Sequence, residues 1–135
     1  MEVDAKSCCI SEEAIGLLVD HFYAKVRVDP VLGPIFERVL RSEWGSHLET
    51  MRNFWSSVML TSGRYKGAPV PAHFRVKAIE PEMFDRWLRL FGETCDELFE
   101  NEVAEAFRAK AVRIAESLKL ALFFRLNPAP TAKSS

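Results

Sequence analysis

Apolar residues recur at helical spacing along nearly the whole of this chain, and no stretch alternates polar and apolar residues as a strand does. A period of 3.6 residues gathers apolar side chains on one face of a helix, and each such face needs a partner. Ile15, Leu18, Val19, Phe22 and Val26 form one stripe, and Trp44, His47, Leu48, Met51, Trp55 and Val58 form another. Phe84, Trp87, Leu88, Phe91, Cys95 and Leu98 form a third. A fourth holds Val103, Phe107, Ile114, Leu118 and Leu122, with Ala106, Ala111 and Ala121 leaving room for close helix approach. The pattern predicts an all-α fold of about five or six helices.

The breaks between stripes have identifiable chemistry. Ser11 reads as an N-cap, with Glu12 and Glu13 favourably placed in the first turn. Asp29-Pro30 ends that helix, and Pro34 is suited to open a short helix through Ile35 and Phe36. The next helix is expected from about Ser42 to Leu60, stopped by Ser62-Gly63. Residues 64–71 are too rich in Gly and Pro for a regular element. A short helix is expected from His73 to about Ile79. Pro81 then fits the first position of a long helix, and Asn101 reads as the cap of the last one. These last two helices are expected to form an antiparallel pair joined at Glu100-Asn101. One domain over 11–126 follows, with a flexible segment at 1–10 and a disordered tail at 127–135.

Composition narrows the classes. The 135 residues are 48% hydrophobic, enough for a sizeable core, and a net charge of -1 does not favour a nucleic-acid partner. No apolar run approaches the length of a membrane span, and the polar start Met1-Glu2-Val3-Asp4-Ala5-Lys6 has no signal-peptide core, so a cytoplasmic monomer is expected. The three cysteines show no zinc spacing. Cys95 reads as a small buried hydrophobe, and Cys8-Cys9 as an exposed pair.

Two histidines stand out. His47 lies on an inward stripe, and His73 follows the Gly/Pro-rich loop Gly67-Ala68-Pro69-Val70-Pro71. Two imidazoles aimed at one interior from separate short helices can hold a flat metal macrocycle between them. From the residues alone, other readings stay open. His73 also reads as a surface or capping histidine, His47 as a core histidine, and Tyr23 and Trp87 as ordinary core aromatics. Arg64, Tyr65 and Lys66 read either as a solvated loop or as a source of cations for an acidic ligand group.

Several strings together resemble the truncated haemoglobins, and their third group in particular. They are Phe22-Tyr23-Ala24-Lys25-Val26-Arg27, Leu32-Gly33-Pro34-Ile35-Phe36, Glu43-Trp44 with His47, Asn53-Phe54-Trp55, Tyr65-Lys66-Gly67, His73, and Trp87-Leu88 with Leu90-Phe91. The glycine pairs typical of the first two groups are absent. The resemblance runs from about Glu12 to Leu122. It implies a shortened globin, two helices stacked over two around haem b, with His73 as the iron ligand. It implies a distal set of Tyr23, His47 and Trp87 that touches the bound gas. Phe22, Met51, Phe54, Trp55, Tyr65 and Trp87 are expected to line the cofactor. Met51 departs from the branched aliphatic residue expected on the distal face.

The implied ligands are dioxygen, nitric oxide and carbon monoxide. A polar distal set favours oxygen/nitric oxide redox chemistry or peroxidase-like activity, and the alternative is an oxygen carrier or store. No G-x-G-x-x-G follows a strand, so an enzyme of this kind would draw electrons from a separate reductase. A cofactor-free helical interaction module explains the amphipathic helices but not inward polar groups at 23, 47 and 87. A gas sensor would need an output domain. The iron-ligand expectation is tested by His73→Ala. The variant is expected to lose tight haem binding or to give a five-coordinate species restored by added imidazole. Unchanged ferrous and ferric absorption spectra would overturn the assignment.

Overall fold

The computed structural model describes residues 6–67 and 80–124. The expected short helix from His73 and the tail at 127–135 lie outside the described residues.

Local chemistry sets where each helix begins. The Ser11 hydroxyl accepts the Ala14 N–H at 3.1 Å, and α1 follows over Glu12–Val28. Helix α2, Leu32–Leu40, starts ahead of Pro34 because the Asp29 carboxylate accepts the N–H groups of Val31 (3.0 Å) and Leu32 (2.9 Å). Pro34 then falls in the first turn, where its missing N–H has no intrahelical partner to lose. The chain folds back so tightly here that a Cβ on Gly33 would sit 2.6 Å from the Arg27 carbonyl oxygen. Helix α3 spans Trp44–Leu60, two residues short of the expected start at Ser42. Helix α4 spans Pro81–Leu98 with Pro81 at its first turn. Helix α5 spans Asn101–Lys119; Glu100 takes the cap position and Asn101 is already helical, so Asn101 is not the cap. A wider turn of π-helical form, Leu120–Phe124, continues α5.

The helices pack as two pairs. α4 and α5 run antiparallel, tied by Lys119–Asp85 (3.7 Å) towards one end and by Arg108–Asp96 towards the other. α1 packs along α3 and also crosses α4, joining the pairs into a two-over-two fold. Aromatic rings fill the junction. Trp55 stacks on Phe91 (5.1 Å between centroids), and Phe99 stacks on Phe107 (4.9 Å). A second, smaller cluster of Phe84, Ala115, Leu118 and Leu122 lies to one side, and half-buried Leu88 and Ile114 border both clusters.

Ahead of α1, Ser7 makes one parallel bridge with Phe99, through Ser7 N to Leu98 O (2.9 Å) and Glu100 N to Ser7 O (3.0 Å). Cys8 and Cys9 are exposed beside it, whereas Cys95 is buried. Burial pushes the Cys95 thiol up to about 12, as suits an inert core group.

Among the described residues no helix is long and apolar enough to cross a membrane. Buried polar groups are few and engaged. Ser56 donates to Glu12 at 2.7 Å, which fastens the start of α1 to α3. Asp29 also accepts from Arg86 Nε of α4 at 2.7 Å. The Arg86 guanidinium, aided by the two backbone N–H groups, holds the Asp29 carboxyl below its ordinary value of 3.8 against the opposing effect of burial. A depressed native pKa contributes stability that is present above the ordinary value and is lost as pH falls through the native one. Asp29→Asn is therefore expected to be less stable than the parent at neutral pH, with the gap closing below pH 3.8. Denaturant midpoints measured along a descending pH series check this; a gap that stays constant to the acid end would refute it.

Candidate functional site

α1, α2, α3 and α4 each contribute rings to one aromatic cluster. α1 carries Phe22 and Tyr23, both buried. Phe22 is wedged edge-on against Trp87 (5.4 Å) and Phe91 (5.3 Å) of α4, and Trp87 stacks flat on Phe91 (5.3 Å). Tyr23 meets the edge of Phe36 of α2 at 5.9 Å and His47 of α3 at 5.0 Å. His47 also faces Phe36 (6.0 Å) and Trp44 (6.4 Å), and its Nε2 is shielded from solvent. Tyr23 of α1 thus stands against His47 of α3 and beside Trp87 of α4, so the three inward polar groups come from three helices and meet at the Tyr23 ring.

The electrostatics of this set are specific. Burial raises the Tyr23 phenol well above its ordinary range, and the Trp87 indole N–H, donating towards the phenol oxygen, acts weakly the other way. Tyr23 therefore stays protonated at any physiological pH. An indole N–H can only donate and a hydroxyl both donates and accepts, so the Trp87 contact uses a Tyr23 lone pair and leaves its proton to point elsewhere. Trp44 is fixed from two sides, by its N–H donating to Glu37 at 3.0 Å and by Arg27 over its ring at 4.4 Å.

α3 presents two adjacent faces. Trp44 and Trp55 turn into the closed core, with Trp55 against Phe91 and Phe107 (5.8 Å). His47, Met51, Phe54 and Val58 lie on the other face and are only half-buried. Phe54 and Val58 line a cleft of about 370 Å³ with Ile114, Leu118 and Ser117 of α5, and Lys110 and Arg113 stand beside it. Tyr65 packs edge-on against Phe54 at 5.1 Å, and its N–H donates to Ser57 Oγ at 2.8 Å. Arg64 pairs with Glu12 at 3.3 Å.

These residues fit a planar, largely apolar cofactor. A half-covered apolar face on α3, an apolar cleft with cations beside it, and a buried donor set in one wall are what a haem requires. Of the residues expected to line the ring, Phe54 borders this cleft, Met51 is half-buried on the same face of α3, Phe22 and Trp87 pack together between α1 and α4, and Trp55 is packed into the core. His73, the expected iron ligand, lies outside the described residues. Among the described residues no group of three or more His, Cys, Asp or Glu could hold a bare metal ion. Asp29, Arg86, Glu37 and Ser56 were not legible as site supports, since charged and hydroxylic residues near helix ends are common.

Comparison with known proteins supplies an independent reading. The chain is 33% identical over 117 residues to the group 3 truncated haemoglobin ctb of Campylobacter jejuni, covering 84% of this chain and 92% of that protein. The crystal structure of a group III truncated haemoglobin from Campylobacter jejuni matches with a TM-score of 0.85, at 33% identity, covering 88% of this chain and 96% of that one. No family model matches the chain.

His47 is enclosed by the rings of Tyr23, Phe36 and Trp44. If it gates entry, His47→Leu should change ligand association more than dissociation. Flash photolysis of the carbon monoxide form measures this, and rebinding within about twofold of the parent, under 0.5 kcal/mol of barrier, would dismiss the gate.

Proposed function

The chain belongs to the group 3 truncated haemoglobins, and from that premise we propose that it holds haem b and binds dioxygen and other diatomic gases at the Tyr23–His47–Trp87 pocket. The proposal assigns iron ligation to His73 and the lining of the ring to Phe22, Met51, Phe54, Tyr65 and Trp87, with Trp55 supporting from behind. The haem supplies the iron that takes up the gas and exchanges electrons with it.

The observation that carries this reading is the buried Tyr23 phenol with the half-buried Trp87 indole beside it, its N–H directed to the phenol oxygen. Trp87 donates to Tyr23, which polarises the phenol and strengthens the bond its own proton can make. A hydroxyl aimed at partial negative charge is suited to retaining dioxygen. A bond of this charge-assisted kind is worth about 1.5–3 kcal/mol, which slows escape by roughly one to two orders of magnitude. Phe22 and Phe36 pack edge-on against the buried Tyr23, which shelters its phenol from solvent. Such retention favours chemistry on the bound gas, reaction of oxygen with nitric oxide or a peroxidase-like turnover, with electrons from a separate reductase. Carriage or storage is the second reading, and it calls for faster release.

A Soret band on the purified protein separates both from a cofactor-free helical module. Tyr23→Phe is expected to speed oxygen dissociation by about tenfold or more. Trp87→Phe should do so less, because it acts largely through Tyr23, and the double variant should fall well short of the sum. Parental off-rates in both single variants would defeat the pocket assignment. Stopped-flow mixing of the oxygen-loaded ferrous protein with nitric oxide then decides between the readings. Rapid stoichiometric nitrate formation marks the enzyme, and oxygen release without nitrate marks the carrier.

A further inference from the structure

One carboxylate oxygen ties together two walls of the pocket that make no ligand contact through it. Asp29 Oδ2 accepts Val31 N (3.0 Å), Leu32 N (2.9 Å) and Arg86 Nε (2.7 Å), and its side chain is only 7% exposed. The first two bonds start α2, which carries Phe36 against both Tyr23 and His47. The third reaches α4 at the residue directly before Trp87. The rest of the α1–α4 contact around the pocket is aromatic, Phe22 against Trp87 and Phe91. Ring contacts of this kind are broad in distance and angle, whereas a hydrogen bond weakens steeply with both. A small shift of α4 along α1 would keep such ring contacts yet move the Trp87 indole N–H off the Tyr23 oxygen. Lys25–Glu97 (2.8 Å) also bridges α1 and α4, but it is solvent-exposed and screened. Asp29–Arg86 is the more sheltered tie.

We propose that Asp29 and Arg86 are positioning residues: their ion pair fixes the register of α4 on the α1–α2 corner, and with it the Trp87–Tyr23 donor chain that retains the gas. This rests on the pocket assignment made above. Asp29→Asn keeps a side chain that caps α2 well and removes the charge. Arg86→Met leaves the cap untouched, so it carries the test even where Asp29→Asn does not fold. Arg86→Lys keeps the charge without the guanidinium fork.

In the haem-loaded protein, Asp29→Asn and Arg86→Met are each expected to speed oxygen dissociation by about threefold or more, with the double variant no worse than the worse single one. In the carbon monoxide form both should shift the Trp87 indole N–H resonance, and both should move the C–O stretch in the direction of weaker donation. Arg86→Lys should fall between the parent and Arg86→Met. In a Tyr23→Phe background, Asp29→Asn should add nothing to the off-rate. A purely structural pair would lower the melting temperature and leave the off-rate, the stretch and the indole resonance at parental values; that result overturns the inference. Failure of the underlying assignment looks different, since Tyr23→Phe itself would then keep the parental off-rate.

Discussion

The crossing of α1 over α4 is the contact on which the other features depend. Phe22 meets Trp87 and Phe91 in edge geometry beside their stack, and Phe91 in turn stacks on Trp55 of α3. Three helices thus meet through one run of rings, each preferring stacked or edge-on geometry over a loose apolar contact. Deleting such a buried ring costs about 3–5 kcal/mol, a large share of the stability of a domain this size. The same crossing brings Tyr23 beside Trp87, so the packing that stabilises the fold also builds the donor pair. A substitution at Phe22 or Phe91 would disturb both, and its effect on ligands could not be separated from its effect on folding.

Polar interactions then refine what apolar packing leaves loose. Asp29 sets the start of α2 and reaches α4; Glu37 and Arg27 hold Trp44; Ser56 joins Glu12. Most lie at helix ends or between helices, where relative helix position is otherwise weakly determined. Of their groups, Asp29 and Ser56 are themselves buried, which sets their bonds apart from exposed surface pairs.

Much of this was legible in the chain because helices report their inward faces directly. Tyr23, His47 and Trp87 stood out as polar groups on apolar stripes, and the structure gathers them. Trp55 shows the limit of that reading. One helical residue turns by 100°, so His47, Met51, Phe54 and Val58 centre roughly 70° away from Trp44, Leu48 and Trp55. A single broad apolar stripe cannot tell the half that faces the core from the half that faces a cleft, because that division depends on which helices pack where. Asp29 was hidden for another reason. Before a proline it reads as a stop signal, and its role as a cap and as the partner of Arg86, 57 positions along the chain, exists only once α4 has been placed. Ser56 is likewise an ordinary mid-helix serine until Glu12 arrives from α1.

The burial of Tyr23 poses an energetic problem whose solution bears on function. A hydroxyl in an aromatic enclosure loses its water partners, and an indole N–H beside it loses its own; unpaired, each costs a few kcal/mol. Trp87 and Tyr23 satisfy each other in part, one donating and the other accepting. The enclosure is therefore stable before any ligand arrives, and what remains unspent is a phenol proton with restricted directions. Under the proposed function, a gas bound beside Tyr23 meets a phenol donor that the fold has already desolvated. Preorganised donors of this kind are effective because the fold has met their cost in advance. Held protonated by its own burial, Tyr23 should keep that role across the physiological pH range.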